Sequence, residues 1–598
     1  MHNRTPIPKV NDFKGTLKKL WQYISKYKLS IIIAFTVAIL STIFAILGPK
    51  ILGNATQELY LGVTRIISNS GGIDFNKIAS ILLLLLGIYL LSAIFSYIES
   101  FIMASLSKKI TYSLRQEMSE KIKRLPMKYF DNNQTGETLS VIINDVDNIG
   151  MHLDQSAITI VTSIVTIIGI FIMMCTINIP LAIFTALILP VAGAFVGMIV
   201  KKSQKFFTNQ QEYLGHVNGE VEEMFSGHTI LKCFNAEDKM LDKFAIDNEK
   251  LYENAWKSQF ISGMMHPIMN FVSNLNYVAI AILGAYYVIR GKITVGNIQS
   301  FIQYSKNFTQ PIGQFAQVLN GVQTCLASAE RIFKFLEAEE EIPKECLVKD
   351  LKNIKGNVKF DHVEFGYDED KTIIHDFNLD VKAGSKVAIV GPTGAGKTTI
   401  VKLLMRFYSP TKGSIYLDGN NIENIDSLEY HHAFGMVLQD TWLFHGTILE
   451  NLRYGKPNAT EEEVKKAAKT ANIDHFIETL PNGYNMILDE DTTNISSGQR
   501  QLLTIARAIL EDPKVMILDE ATSNVDTRTE ELIQEAMDKL LKGRTSFIIA
   551  HRLSTIRNAD YILVMNHGDI IEMGSHDELL KKNGFYAELY NSQFDTID

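Results

Sequence analysis

The chain has 598 residues, too many for one hydrophobic core, so the sequence predicts at least two domains. Its formal net charge of −8 is small for that length and gives no sign of a nucleic-acid partner. The four cysteines lie far apart and form no C-x-x-C pair, so neither a disulfide framework nor a zinc site is favoured.

Residues 1–28 are polar and basic, and they precede an apolar run that has the length of a membrane span. Within residues 13–27, apolar side chains recur at helical spacing with lysines between them, at Phe13, Leu17, Leu20, Trp21 and Ile24. This pattern favours an amphipathic helix that lies at the membrane surface. The alternative is that these residues form the first turns of a long membrane-spanning helix.

Six segments are apolar and long enough to cross a bilayer, near residues 30–52, 78–104, 156–178, 180–200, 262–288 and 295–322. Lysine and arginine are concentrated in two long connections, with seven in residues 105–155 and eight in residues 201–258. The connection 53–77 has only Arg65 and Lys77. By the positive-inside rule, the N-terminus, both long loops and the C-terminal half are cytoplasmic. Both loops show helical periodicity, so we expect them to extend the spans as long helices.

The composition changes after about residue 323. Residues 324–355 form a charged linker, and from 356 to 598 short β runs alternate with glycine turns and amphipathic helices. That alternation is typical of an α/β domain, and the segment is long enough for a core of its own. The predicted architecture is therefore an all-α six-helix transmembrane domain, residues 29–323, fused to an α/β domain.

A phosphate-binding motif opens the second half of the chain. Residues 391–398 read Gly-Pro-Thr-Gly-Ala-Gly-Lys-Thr and match G-x-x-x-x-G-K-[ST], after an apolar strand at 387–390 and before a helical pattern at 399–407. Glycines let backbone N–H groups turn towards phosphate oxygens, and the helix N-terminus adds positive charge. In such a motif the lysine reaches the β- and γ-phosphates and the threonine after it binds Mg²⁺. The sequence thus predicts an ATP site at Gly391, Pro392, Thr393, Gly394, Ala395, Gly396, Lys397, Thr398 and Thr399.

A second apolar run, residues 515–518, ends in Asp519 and Glu520. A carboxylate at the end of a buried strand beside a phosphate loop suits a Mg²⁺ ligand, which is Asp519 here. Glu520 would then lie beside the γ-phosphate and polarise the attacking water. The alternative is that both carboxylates only end a strand.

Residues 495–499, between these motifs, read Ile-Ser-Ser-Gly-Gln. With this signature the chain resembles the ATP-binding cassette transporters, and the six spans ahead of it resemble their exporter half-transporters. The resemblance implies that the second half is an α/β P-loop nucleotide-binding domain with a helical subdomain. It also implies adenine stacking by Tyr367, Mg²⁺ sensing by Gln439, γ-phosphate contact by His551, communication across a dimer by Asp526, and contact of Ser496, Gly498 and Gln499 with ATP held by the other subunit.

The sequence departs from the family's pattern at Ser497, where the usual Leu-Ser-Gly-Gly-Gln has a glycine. Because the phosphate loop, Asp519, Glu520 and His551 are intact, the chain resembles one partner of the heterodimeric exporters. A second, different half-transporter is therefore favoured as its partner, and a homodimer is the alternative because serine for glycine is a mild change.

Parts of the two long loops, residues 130–147 and 223–237, resemble the coupling helices of these exporters. In the first of them Val141 stands where an arginine is usual. One ionic contact of the family is therefore expected to be missing.

The sixth span carries polar side chains on one helical face, at Gln299, Gln303, Lys306, Gln310, Gln314 and Gln317. Polar groups in lipid are costly, so this stripe is expected to face the bundle interior or a water-filled cavity. The alternative is that these groups only hydrogen-bond between helices and support packing. A polar cavity argues against a purely lipidic substrate, and the expected substrate is a small amphipathic or drug-like molecule.

The leading hypothesis is ATP-driven export by an integral, multi-pass protein of the bacterial cell membrane. Other hypotheses with the same architecture are a lipid or lipid-linked flippase, a peptide exporter and an importer of the exporter fold. A different class is a membrane-anchored ATPase that regulates a partner and transports nothing.

Overall fold

The computed structural model describes residues 12–341, 348, 351, 354–368, 371–438, 441–489, 494–519, 526–549 and 556–594. The chain forms two compact units. The first comprises Met1–Leu125 and Asn133–Glu339, and the second comprises Pro126–Asn132 and Glu340–Asp598. A short segment of the first long loop therefore belongs with the second unit.

The N-terminal part of the chain is helical. In chain order its helices are α1 (Phe13–Ile24), α2 (Lys28–Ile67), α3 (Phe75–Ile122), α4 (Met127–Asn132), α5 (Thr135–Ser140), α6 (Val146–Ile177), α7 (Ile179–Ala186), α8 (Ile188–Ser226), α9 (His228–Cys233), α10 (Glu237–Gly263), α11 (Met265–Ile289) and α12 (Val295–Leu336). All except α4 lie in the first unit.

Helices occupy all six predicted spans, as the sequence predicts. Four helical stretches among the described residues are long and apolar enough to cross a membrane: Phe13–Ile67, Phe75–Ile122, Thr135–Ile177 and Glu237–Ile289. The other two predicted spans coincide with α7 and α8 together, and with α12. With 48 residues, α3 is about 72 Å long at 1.5 Å per residue, more than twice the bilayer core. The expectation that the long loops extend the spans as helices is therefore confirmed.

Prolines divide two of these apolar stretches. Pro190 has no N–H to donate to the carbonyl of Ala186, and α7 ends at that residue. Pro267 likewise has no N–H to donate to the carbonyl of Gly263, and α10 ends at Gly263. The predicted fourth span, residues 180–200, is therefore two helices rather than one.

The predicted amphipathic helix at the N-terminus is confirmed as α1, which is separated from α2 by a 3₁₀ turn, Ser25–Tyr27. The Asp12 side chain caps it by accepting from the Gly15 N–H at 2.9 Å. Leu20 and Ile24 are buried, whereas Trp21 is 62% exposed. The exposed apolar face suits a helix at a membrane surface, which stays a prediction.

A π-helical turn, Val141–Asp145, leads into α6. Asp145 is buried and accepts from the Ser328 hydroxyl at 2.8 Å and from the Arg331 guanidinium at 2.5 Å, both on α12. Burial raises the pKa of this carboxyl even though both partners oppose the shift. Val141, at the position where the resemblance expects an arginine, is also buried. The turn is thus anchored to α12 by Asp145.

The second unit is an α/β domain. Its strands are β1 (Val358–Phe365), β2 (Ile374–Val381), β3 (Lys386–Val390), β4 (Lys412–Leu417), β5 (Asn420–Asn421), β6 (Phe434–Val437), β7 (Gly446–Thr447), β8 (Ile487–Leu488), β9 (Val515–Asp519), β10 (Thr545–Ile549), β11 (Tyr561–Asn566) and β12 (Asp569–Gly574). Besides α4, its helices are α13 (Lys397–Leu404), α14 (Ser427–His432), α15 (Ile448–Arg453), α16 (Glu461–Thr470), α17 (Asp474–Thr479), α18 (Ser497–Glu511), α19 (Thr527–Leu541), α20 (His576–Lys581) and α21 (Phe585–Phe594).

The main sheet has the order β12-β11-β3-β10-β9-β6 and is parallel except for the pair β11 and β12. Its central strands are apolar without alternation, because a parallel sheet is covered on both faces. A four-stranded antiparallel sheet, β2-β1-β4-β5, and a helical part built on α15 to α18 complete the unit. This is the predicted nucleotide-binding fold with a helical subdomain.

Candidate functional site

The predicted phosphate loop connects β3 to α13 at the carboxyl end of the parallel sheet. Gly391, Gly394 and Gly396 have φ of +153°, +83° and +97°, which favour glycine. A Cβ atom at Gly391 would approach the carbonyl oxygen of Met565 to 2.2 Å, so this position has no room for a side chain. The loop therefore has the backbone that lets N–H groups converge on an anion.

Lys397 begins α13, and its ammonium donates to the carbonyl oxygens of Gly391 at 2.6 Å and Pro392 at 3.0 Å. Burial lowers its pKa, and the negative charge of Asp519 opposes that shift. Asp519 ends β9, and β10 lies between β9 and β3. The structure thus brings Lys397 and Asp519 within electrostatic reach at one edge of the sheet. Thr398 is exposed beside them, so its hydroxyl is accessible.

Tyr367, the predicted adenine-stacking residue, lies beside the start of α13. Its hydroxyl and that of Thr399 are 3.3 Å apart, within hydrogen-bond distance. The Tyr367 ring meets the rings of Phe365 and Tyr408 edge to face, each with a centroid distance of 5.1 Å. The predicted aromatic and the predicted phosphate loop are therefore neighbours.

Asp131 on α4 joins this group. One of its carboxylate oxygens accepts from the Lys402 ammonium at 2.7 Å and from the Tyr408 hydroxyl at 2.6 Å. These two donors hold the pKa of Asp131 below its usual range. The Lys402 ammonium also lies 5.5 Å from the Tyr367 ring centroid and 5.7 Å from that of Tyr408.

A cavity of about 330 Å³ lies at this group, and its lining consists of Lys128, Asp131, Asn132, Tyr367, Asp368, Lys402 and Tyr408. Asp131 lies in the segment 130–147, which resembles a coupling helix in sequence, whereas sequence reasoning missed Lys402 and Tyr408. A lysine within the apolar pattern of α13 was the available signal for the first of them.

The signature residues lie at the start of α18. The Ser496 hydroxyl accepts from the Gln499 N–H at 3.3 Å, and the Gln499 side chain accepts from the Ser496 N–H at 2.8 Å. This capping box explains serine and glutamine at these positions within the chain itself. Ser497 lies in the first helical turn, where a left-handed backbone is not needed, so the usual glycine is dispensable for folding. Gly498 is buried.

Three predicted residues, Gln439, Glu520 and His551, lie outside the described residues. Asp526 is described, and its side chain accepts from the Thr529 N–H at 3.0 Å as the N-cap of α19. Hydrogen bonds from the Thr529 side chain and from its N–H hold the pKa of Asp526 below its usual range. The structure therefore assigns Asp526 a local capping bond, and its part in dimer communication stays a prediction.

A second cavity, of about 260 Å³, lies between α2, α6 and α12 in the first unit, and we call it the inner cavity. Its polar lining consists of hydroxyl and amide groups from Thr42, Thr162, Ser163, Thr166, Tyr304, Asn307, Gln310 and Gln314. Ala45, Ile46, Ile170 and Pro311 form its apolar wall. Of the predicted polar stripe, Gln310 and Gln314 reach this cavity, whereas the Gln317 side chain lies outside the described part of the chain.

Two family models match the chain. Residues 31–312 match the ABC transporter transmembrane region, and residues 374–523 match the ABC transporter domain. They correspond to the helical unit and to the unit that carries the phosphate loop.

Similar proteins match over nearly their whole length. An uncharacterized ABC transporter ATP-binding protein of Bacillus subtilis, YfiC, is 40% identical over 98% of this chain and 96% of its own. A fatty acid ABC transporter ATP-binding/permease protein of Mycobacterium tuberculosis is 40% identical over 98% of this chain and 97% of its own. The solved structure of a bacterial Atm1-family ABC exporter with ATP bound superposes with a TM-score of 0.71 at 28% identity, and the match covers 95% of this chain and 98% of that one. The chain therefore belongs to the ABC transporter family, as an exporter-type protein that carries its transmembrane region and its ATP-hydrolysing domain in one polypeptide.

Proposed function

We propose that this chain is one half of an exporter that uses ATP hydrolysis to move a small amphipathic molecule out through the bacterial cell membrane. Its nucleotide-binding domain then lies on the cytoplasmic side. The observation that carries the proposal is the convergence of the phosphate loop, Lys397 and Asp519 at one sheet edge, in a chain with helices long enough to span a membrane. The bacterial relatives support the location.

Within that site, the loop N–H groups and Lys397 are the groups that hold the phosphates of ATP. The partly buried ammonium now bonds to the carbonyls of Gly391 and Pro392, and phosphate oxygens are stronger acceptors that would replace them. Thr398 and Asp519 offer the hydroxyl and the carboxylate that suit Mg²⁺. When bound, Mg²⁺ neutralises phosphate charge. Tyr367 is assigned to adenine.

Glu520 is proposed as the residue that orients and polarises the attacking water, because it directly follows Asp519 at the end of β9. Gln439 and His551 are proposed to contact Mg²⁺ and the γ-phosphate, as the resemblance implies. These roles predict that their removal lowers turnover more than nucleotide binding.

A second half-transporter is proposed as the partner. Its signature would complete the ATP site of this chain, and Ser496, Gly498 and Gln499 of this chain would contact the ATP that the partner holds. The long helices α8 and α10 support a partner, since they leave large apolar side chains exposed in residues predicted to lie beyond the membrane. Phe225 is 80% exposed and Tyr252 is 62% exposed, which is unfavourable in water without a covering surface. Ser497 in the signature favours a partner of different sequence.

The substrate is proposed to be amphipathic because the inner cavity combines a polar lining with an apolar wall. The relative named as a fatty acid transporter makes a fatty acid the second candidate. Lipid flipping and peptide export use the same architecture and are distinguished by which molecule stimulates ATP turnover. A purely regulatory ATPase would respond to none of them.

The first test is ATP turnover by the full chain, purified alone into lipid nanodiscs. Glu520→Gln is expected to retain ATP binding and to lower turnover at least about a hundredfold, as loss of a catalytic base does. Glu531→Gln, an exposed acid on α19, is the matched control and should leave turnover unchanged. Full turnover by Glu520→Gln would remove Glu520 from its role. A chain that binds ATP but turns over only after a second half-transporter is added supports the heterodimer, and fast turnover alone supports the homodimer.

A further inference from the structure

Two hydroxyl groups that line the inner cavity, those of Thr42 and Tyr304, present acceptors rather than donors. The Thr42 hydroxyl donates to the Ala38 carbonyl at 2.8 Å, and the Tyr304 hydroxyl donates to the Ile46 carbonyl at 2.9 Å. Their hydrogen atoms are therefore used within the protein, and their oxygen lone pairs remain for a ligand.

Pro311 adds a further acceptor. It lies inside α12 and has no N–H to donate to the carbonyl of Asn307, one helical turn earlier, and both residues line the cavity. The side-chain amides of Asn307, Gln310 and Gln314 supply donors as well as acceptors beside it. A ligand group that both donates and accepts therefore matches this lining.

A third feature of the inner cavity is the absence of charge from its described lining. Among the described residues that line it, none is ionisable at neutral pH. Lys306 is adjacent to Asn307, but its ammonium lies 5.9 Å from the ring centroid of Tyr277, on α11. A carboxylate here would meet amide donors but no cation among the described lining residues, and a buried charge without an opposite charge is costly inside a membrane.

We propose that the inner cavity binds the uncharged, hydrogen-bonding head group of an amphipathic substrate, such as an amide or a hydroxylated group, in preference to a carboxylate. The volume of about 260 Å³ is just below the usual range for a ligand pocket, about 300–1,000 Å³, which suits a head group rather than a whole molecule. This inference rests on the proposed export function and names the chemistry of the same substrate.

The test compares three molecules that share a twelve-carbon chain: dodecanamide, dodecanoate and dodecylamine. The full exporter, in its turnover-competent assembly, is reconstituted in liposomes at pH 8.5, where the acid and the amine are mostly ionised. Stimulation of Glu520-dependent ATP turnover and export of radiolabelled amphiphile are measured against concentration. Dodecanamide is expected to act at a concentration about tenfold lower than either charged molecule, since an unpaired charge in the cavity is penalised.

Three substitutions on α12 separate the alternatives. Gln310→Leu should raise the concentration of dodecanamide needed by about fivefold, the effect of one or two lost hydrogen bonds. Gln314→Leu is an independent second variant with the same expected direction. Lys306→Met, next to Asn307 and four residues before Gln310 on the same helix, should change the amide response by less than about twofold, because its ammonium faces α11.

A preference for dodecanoate that is lost in Lys306→Met would overturn the inference and assign an anionic substrate, while leaving the export function intact. A preference for dodecylamine would overturn it as well. If none of the three stimulates turnover or is exported by an assembly with Glu520-dependent activity, both the head-group inference and the amphipathic substrate are wrong.

Discussion

One carboxylate oxygen of Asp131 joins α4 to two side chains of the nucleotide-binding unit. It accepts from an ammonium at 2.7 Å and a phenol hydroxyl at 2.6 Å, and both donors lie next to the predicted adenine aromatic. We predict that Asp131→Asn loosens α4 and that Asp131→Ala loosens it further. Asparagine keeps an acceptor for Tyr408 and loses the charge that binds Lys402, whereas alanine loses both contacts.

The magnitude follows from these contacts. Hydrogen bonds to charged groups contribute about 1.5–3 kcal/mol, and exposed ion pairs contribute about 1 kcal/mol or less. The Asp131 and Lys402 side chains are 33% and 27% exposed, so values near the low ends apply. We expect a loss of about 1 kcal/mol for Asp131→Asn and about 2 kcal/mol for Asp131→Ala. At about 1.4 kcal/mol per factor of ten, the ratio of molecules with α4 bound to the unit to those with α4 released falls about fivefold in Asp131→Asn and about thirtyfold in Asp131→Ala.

Hydrogen exchange of the full chain in nanodiscs measures this opening directly. Backbone amides within residues 126–132 should exchange faster by these factors, because local opening sets their rate. The transport obtained per ATP hydrolysed should fall in the same order, while nucleotide affinity changes little. Glu364→Gln is the matched control, since it breaks a 2.8 Å ion pair with Lys412 in the same unit without touching α4.

Two outcomes would refute the reasoning. One is exchange of residues 126–132 within twofold of the parent chain in Asp131→Ala. The other is an equal acceleration in Glu364→Gln, which would indicate a general loss of stability instead of a lost contact.

Three further predictions concern the nucleotide-binding unit. Gly396→Ala should weaken binding of a fluorescent ATP analogue at least about tenfold, because φ is +97° and the new Cβ would lie 2.9 Å from Ile374. Gly384→Ala is the control, since φ is +79° there but no atom lies near the new Cβ, and it should leave affinity unchanged. Ser497→Gly should raise ATP turnover of the chain purified alone several-fold. An unchanged rate would mean that Ser497 in the signature does not limit ATP turnover. Burial raises the pKa of Glu511 to about 7, above its usual value near 4.3, so the folded state favours the neutral acid and stability falls as pH rises from about 4.3 to 7. Glu511→Gln should remove that fall and raise the free energy of unfolding at pH 8 by about 1 kcal/mol, after allowance for partial exposure of the side chain. Thermal unfolding of the parent and the variant at pH 5 and pH 8 measures this difference.

Local features could be predicted from the sequence because short-range sterics decide them. The phosphate loop needs glycine at left-handed positions, and the spacing of Gly391, Gly394 and Gly396 records that need. The apolar faces of α1 and the lengths of the spans follow from helical periodicity and bilayer thickness. The break between α7 and α8 could also have been predicted, since Pro190 was visible in the sequence.

Only the tertiary structure decided which distant groups meet. Lys397 and Asp519 are near each other because β3 and β9 flank β10, a strand order that no local pattern specifies. Asp131 and Lys402 are 271 residues apart, and their contact depends on α4 joining the second unit. The inner cavity likewise needs α2, α6 and α12 to pack side by side. Such contacts follow from burying apolar surface across the whole chain, so their partners are not encoded by the neighbours of either residue.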